Sequence, residues 1–246
     1  MSERSFPLKF RTIERFDGSR WRQFESKDNI FYLTSMGRHL LASEKIAKLL
    51  NSYAQDYLNN PNQDGNTRRF LAEGTDARVY TAGERLVIKE SKSDGSSLWR
   101  SIERMDRLID SVQQYCPRWI DIPEHYGIMV PKSDTSKAFM LIEKIDHGVT
   151  AGDIMTLDDP CQSRIANGKL NPESIKNFGP IDDYLKDEVQ NRYSDLLVLL
   201  RQALISEYLS PDEYLPDIDH NPYNIVLEKL VTPIAKSSLR YWIIDQ

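Results

Sequence analysis

Cysteine is nearly absent: Cys116 and Cys161 are the only two in 246 residues, and they share no metal-binding spacing. Two thiols this far apart build no disulfide framework, so both read as reduced, half-buried thiols of a cytosolic protein. The four histidines, His39, His125, His147 and His220, are scattered, which gives no basis for a zinc or iron cluster. No run reaches the roughly 20 apolar residues that cross a bilayer, and no secretory leader precedes the first charged residues. No membrane span is therefore expected. An excess of base is missing too: 32 Lys and Arg stand against 37 Asp and Glu, a net charge of −5. That sign excludes broad nucleic-acid affinity, which depends on neutralising phosphates. The basic clusters Arg20/Arg22, Arg68/Arg69 and Arg104/Arg107 read as solvated faces. Neither an internal repeat nor a low-complexity tract occurs.

What is present is a chain 40% hydrophobic, able to bury one bilobed core or two small ones. Three segments are expected. Residues 1–66 read as a small α/β unit. It has short strands at Phe10–Phe16, Trp21–Glu25 and Ile30–Thr34, a helix from about Arg38 to Leu58, and a polar linker over Asn59–Asn66. Residues 67–146 and 147–246 read as two lobes of one larger unit. The stretch 150–183 is polar, broken by Pro and Gly, and yields no assignment.

The densest chemistry lies in Asp219-His220-Asn221-Pro222-Tyr223-Asn224, followed by Ile225-Val226-Leu227 and then by Ile243-Ile244-Asp245. An Asp, an Asn five positions on, a strand, and an Asp after a second strand resembles a kinase active site. By itself Asp-x-x-x-x-Asn is a weak pattern. It gains weight from Phe70-Leu-Ala-Glu-Gly-Thr-Asp-Ala-Arg-Val-Tyr80 and Leu86-Val-Ile-Lys89 upstream. In the first run Ala72, Gly74 and Ala77 occupy the small-residue positions of a glycine-rich loop, and Val79 the valine that follows. A turn whose backbone approaches phosphate oxygens needs small side chains. The apolar strand after it presents one lysine to pair those phosphates. An ordinary hairpin with a surface Lys89 would carry the same residues.

Leu98, Ile102, Met105, Ile109 and Val112 then mark one stripe of a helix. Glu103 flanks the stripe and is the candidate partner of Lys89; Asp106 is its rival, and a surface pair of Glu103 with Arg107 the simpler alternative. Phe139-Met-Leu-Ile-Glu-Lys-Ile145 reads as a buried strand entering a loop. A long helix over 184–209, with Leu185, Val189, Tyr193, Leu196, Leu197, Leu200, Leu204 and Tyr208 inward, leads to Pro211 and Pro216.

Taken in this order, the motifs resemble the protein-kinase-like phosphotransferases from about Phe70 to Asp245, and most of all the short bacterial effector kinases. The run Ser19-Arg20-Trp21-Arg22 to Phe31 loosely resembles the small domain preceding some of those kinases. The resemblance implies an α+β, bilobed fold with an antiparallel-sheet small lobe and a reduced helical large lobe. It implies ATP and Mg²⁺ as cofactors. Lys89 then contacts the phosphates, Glu103 orients Lys89, Asp219 is the base, and Asn224 and Asp245 bind Mg²⁺. Ile142 limits the adenine pocket, and the backbone of Glu143 and Ile145 bonds the adenine edge.

Departures qualify the likeness. Ile218 replaces the arginine that usually precedes the base, and no activation segment follows Asp245 before Gln246. A minimal protein Ser/Thr kinase acting on a host or partner protein is the first expectation. A small-molecule kinase of the aminoglycoside or choline type, a nucleotide-binding pseudokinase and a truncated product are the alternatives. Localisation is expected to be cytoplasmic, or inside a host cell by the effector analogy.

Overall fold

The computed structural model describes residues 9–11, 22–59, 69–74, 77–92, 95–146, 148–157, 160–207, 221–230 and 238–244. Side chains are described for all of these except 9–11, 96–97, 99–104, 106–107, 160, 204–207 and 238. The chain is α+β and divides into two compact units, Met1–Trp99 with Glu124–Lys144, and Arg100–Pro123 with Ile145–Gln246.

The elements follow in chain order. Strands β1 (Lys9–Arg11), β2 (Arg22–Glu25) and β3 (Asn29–Leu33) precede helices α1 (Ser35–Leu41) and α2 (Glu44–Asn59). Next come β4 (Arg69–Glu73), β5 (Ala77–Ala82), β6 (Leu86–Ser91), α3 (Ser96–Tyr115), β7 (Ile120–Asp121), β8 (His125–Pro131) and β9 (Phe139–Glu143). β10 (Val149–Thr150) leads into α4 (Ala151–Met155), α5 (Pro160–Ala166), α6 (Pro172–Phe178) and α7 (Asp183–Glu207). A single 3-10 turn, Pro222–Asn224, opens the hairpin of β11 (Ile225–Leu230) and β12 (Ser238–Ile243).

The first unit is built on one antiparallel sheet of eight strands, in the order β1-β2-β3-β8-β9-β6-β5-β4. β3 pairs with β8 from Asn29↔Pro131 to Leu33↔Gly127, so residues before 67 extend this sheet instead of forming a sheet of their own. β3 fills the edge of β8 that β9 leaves open. Gly127 makes the pairing possible: its φ of 152° suits glycine, and a Cβ there would run into the Tyr32 carbonyl.

In place of one helix from Arg38, two form. Thr34 caps α1 by accepting from the Gly37 N–H at 3.0 Å. The chain then breaks at Ala42–Ser43, and Ser43 starts α2 by accepting the Ala47 N–H at 3.0 Å. α2 buries Leu50, Tyr53 and Ala54 in a core with Tyr80, Leu86, Ile88, Phe139 and Leu141. That core covers one face of the sheet. The expected linker lies outside the described residues beyond Asn59.

In the second unit, Met105, Leu108 and Val112 of α3 pack with Val189, Leu196 and Leu200 of α7. Ile225, Leu227, Tyr241 and Ile243 of the hairpin complete that core. Each such side chain contributes roughly 1.5–3 kcal/mol of transfer free energy. A second sheet, β10-β11-β12-β7, is antiparallel except for the parallel pair of β12 with β7. α7 agrees with the expected long helix, while Pro211 and Pro216 lie outside the described residues. The unassigned stretch 150–183 holds the three short helices α4, α5 and α6. Among the described residues no helix is long and apolar enough to cross a membrane.

Candidate functional site

Ala72, Ala77, Val79 and Lys89 lie on the adjacent strands β4, β5 and β6 of the first unit, and Gly74 follows directly after β4. β4 and β5 pair through Ala72↔Val79 and Glu73↔Arg78, and the Gly74 N–H closes the hairpin onto Ala77 O at 2.9 Å. Lys89 is flanked by Val79 on one side and Met140 on the other. Strand alternation therefore sets Lys89, Val79 and Met140 on the sheet face opposite the core that holds Tyr80 and Ile88. Among the described residues an added Cβ at Gly74 would meet only Ala77 O, at 3.9 Å, so their packing does not require glycine there. Ala77 itself is buried.

The hairpin base is tied by charges that the sequence motifs did not single out. Glu73 pairs with Lys92 at 2.6 Å and with Arg78 at 3.3 Å. Lys92 also donates to Gly74 O at 2.6 Å. A concavity of about 410 Å³ is lined by Tyr57, Glu73, Arg78, Glu90, Lys92 and Lys137. Glu90 is buried there, accepting from the Tyr53 hydroxyl at 2.7 Å. No pattern in the sequence separates Glu90 from an exposed strand glutamate; only the approach of α2 does.

The hydrogen bond and charge of Lys92, helped by Arg78, hold the Glu73 carboxyl below its ordinary value of 4.5, against partial burial. A depressed folded value means that the contribution to stability is full above 4.5 and lost as pH falls through that depressed value. Glu73→Gln is expected to lower stability by roughly 0.2–1 kcal/mol at neutral pH. Denaturant melts of both proteins should show this gap closing in acid. A gap undiminished in acid would contradict the assignment.

At the expected hinge, Glu143 ends β9 opposite Leu86. Its N–H donates to Glu124 O at 2.8 Å, and its carboxylate accepts the Glu124 N–H at 3.1 Å. With its N–H engaged, Glu143 keeps its carbonyl as the backbone group that could meet an adenine edge. Ile142 is buried. Ile145 opens the second unit.

Within that second unit the turn before β11 is capped by its own sequence. The Asn221 side chain accepts the Tyr223 N–H at 3.1 Å, and the Asn224 N–H donates to Asn221 O at 2.9 Å. β11 and β12 then pair from Ile225↔Ile243, and the Ile244 N–H donates to Asn224 O at 2.9 Å. Asn224 and Ile244 thus face each other across the hairpin mouth. Asp245, the next residue in sequence, lies outside the described residues, as do Asp219, His220 and Ile218. Glu103 belongs to α3, but its side chain and that of Asp106 are likewise outside the description, so the expected pair with Lys89 has no geometry here. Among the described residues no group of three or more His, Cys, Asp or Glu is arranged to hold a metal ion.

The turn is also gripped from α4 and α5. Thr150 caps α4, accepting the Asp153 N–H at 3.1 Å and donating to Asp153 Oδ2 at 2.6 Å. Arg164 Nη1 donates to the other oxygen of Asp153, which is fully buried. The Arg164 guanidinium lies 4.5 Å from the centre of the Tyr223 ring. Burial pushes the Asp153 carboxyl up, opposed by Thr150 and Arg164. Sequence reading missed all of these residues, because Asp153 and Arg164 fall in the unassigned stretch. Nearby Cys161 is fully buried rather than half-buried. Burial raises its thiol to about 11, as it does that of Cys116, so neither is an activated nucleophile.

No protein-family model matches the sequence, and no curated protein matches it significantly.

Proposed function

We propose that this chain is an ATP-dependent phosphotransferase with a protein-kinase-like bilobed arrangement, acting as a minimal Ser/Thr kinase on a protein hydroxyl. The observation that carries this reading is the hairpin mouth, where Ile244 N–H meets Asn224 O at 2.9 Å. It brings Asn224, the proposed amide ligand, beside Ile244, the residue that precedes the proposed carboxylate ligand in sequence. The donor chemistry fits: an amide oxygen from Asn224 and a carboxylate from Asp245 are hard ligands of the kind Mg²⁺ takes while keeping several waters. The order of β4–β5 hairpin, lysine strand, helix, buried strand, long helix and second hairpin agrees with it.

In this reading the β4–β5 backbone covers the phosphates and the Lys89 ammonium pairs their oxygens. Glu103 orients Lys89. The Glu143 carbonyl and the Ile145 backbone take the adenine edge. Asp219 accepts the proton of the attacking hydroxyl, while Asn224 and Asp245 hold the cation. Bound ATP–Mg²⁺ supplies the transferable phosphoryl group and neutralises charge on it. A protein in the same compartment, or a host protein, is the acceptor.

The test is transfer of label from γ-labelled ATP, in the presence of Mg²⁺, to the protein itself and to a lysate. Lys89→Ala is expected to reduce incorporation about 10²–10³-fold, as loss of one preorganised electrostatic contact does. Equal incorporation by wild type and Lys89→Ala would end the enzymatic reading. Transfer to an aminoglycoside or to choline, and not to protein, would keep the chemistry and overturn the acceptor. Nucleotide binding without any transfer would leave a pseudokinase.

A further inference from the structure

Tyr223 stands between Asn221, which caps the 3-10 turn, and Asn224, which ends it. Its ring is held on several sides, each by a different interaction. Gly152 of α4 faces it so closely that an added Cβ would sit 2.6 Å from Cδ1 and from Cε1. The guanidinium of Arg164 stacks 4.5 Å from the ring centre. The phenol oxygen lies 3.2 Å from Thr156 Oγ1. Thr156 gives its own proton to Gly152 O at 2.6 Å, so the Tyr223 hydroxyl is the donor toward Thr156.

Arg164 is in turn fixed by Asp153, which is fully buried and bonded through both oxygens, to Arg164 and to Thr150. A buried ion pair adds little net stability compared with apolar residues of the same volume; what it adds is orientation. Here the fixed object is a guanidinium, and its Cζ lies over the ring of the residue immediately before Asn224. The Asn224 backbone is already bonded on both sides, to Asn221 O and from Ile244 N–H. The ring adds contacts with Gly152, Arg164 and Thr156 to the β10–β11 pairing Thr150↔Val226 that already joins the start of α4 to the strand after the turn.

We infer that the Asp153–Arg164 pair, acting through the Tyr223 ring and Thr156, is a positioning device that sets the Asn224 amide for a divalent cation. The inference rests on the phosphotransferase reading for the cation, but the ordering of the turn does not depend on it. Arg164, Tyr223 and Thr156 are positioning residues, since none of them is assigned contact with the cation or the phosphates.

The first experiment is hydrogen exchange on the full chain with Asp153→Leu/Arg164→Met, which removes both charges and leaves neither unpaired. Exchange at the Asn224 and Ile244 amides is expected to accelerate roughly tenfold, the loss of one cation–ring contact, with hairpin-interior amides such as Leu227 unchanged. Tyr223→Phe, which retains the ring and loses only the bond to Thr156, serves if the double variant does not fold. It should accelerate the same two amides roughly fivefold. Unchanged exchange at both amides in a folded variant would overturn the inference, whatever the protein does with ATP.

The second readout is the Mg²⁺ requirement of label transfer. Its half-saturating concentration is expected to rise roughly tenfold in the folded variant, while KM for ATP at saturating Mg²⁺ moves less than about twofold. Arg164→Lys, which restores the charge beside Asp153, should recover part of the shift. A fall in kcat with an unaltered Mg²⁺ requirement would also overturn the inference. If wild type transfers no label while its two amides are protected and the variants release them, the phosphotransferase reading fails and the positioning of the turn stands.

Discussion

Asp219→Asn is expected to lower the turnover of label transfer about 10²–10⁴-fold, the range over which a positioned proton acceptor contributes. Asparagine matches aspartate in size and still bonds a hydroxyl, but it cannot take the proton away. KM for ATP should change less than about twofold, because in the proposed site phosphate contacts come from Lys89 and the β4–β5 hairpin. Lys89→Ala is therefore the informative contrast, since it should weaken nucleotide binding as well as turnover. Steady-state kinetics over a range of ATP concentrations separates the two. Full turnover in Asp219→Asn would remove this residue from the chemistry and, with it, the best reason for reading Asp219–Asn224 as a catalytic loop.

Arg164→Met has the largest expected effect on stability. Among the described residues it leaves the fully buried Asp153 carboxylate with the Thr150 hydroxyl as its one side-chain partner. Breaking a buried pair from one side costs about 3–5 kcal/mol. The effect depends on pH, and its sign follows from the raised Asp153 value. A carboxyl whose folded value lies above the ordinary 3.8 favours the folded state fully only below 3.8, and the advantage is lost as pH rises through the folded value. Without Arg164 the described residues supply no cation that opposes that rise, so the deficit should be small in acid and grow toward neutral pH. Urea midpoints at several pH values measure it. Asp153→Leu/Arg164→Met should recover most of the loss. A deficit that is independent of pH, or undiminished in the double variant, would show that Arg164 acts through packing alone.

The legible parts of the fold were those with local signals. Leu86–Ser91 is a short apolar run after a turn, and Ser96–Tyr115 and Asp183–Glu207 carry an apolar stripe at helical spacing. Those three were readable because period and length alone separate strand from helix. The pairing of β3 with β8 was not, since its partners lie about a hundred residues apart and neither strand names the other. The break at Ala42–Ser43 was hidden because Leu40, Leu41 and Ile46 keep nearly helical spacing across it; only Ser43, a good helix starter, marked it. Of the residues singled out, Ala72, Val79 and Lys89 fall on neighbouring strands, and Gly74 comes just after the first of them. Asn224 was likewise legible from its place before an apolar strand. Asp153, Arg164 and Glu90 were not, because from sequence a charged residue reads as solvent-facing until a second element is seen to bury it.

The covering of one sheet face by α2 has a practical consequence for anyone dividing this chain. A fragment begun at residue 67, the boundary that motif spacing suggests, would carry the hairpin and Lys89 strand intact. It would also lose Leu50, Tyr53 and Ala54, and so present Tyr80, Leu86, Ile88 and Leu141 to water in a single apolar patch. The same cut would strip β3 from β8, leaving a row of unpaired backbone groups beside that patch, the combination that nucleates intermolecular strand pairing. Residues 22–59 thus cover the face and the edge that this cut would expose, and expression boundaries should begin upstream of Arg22.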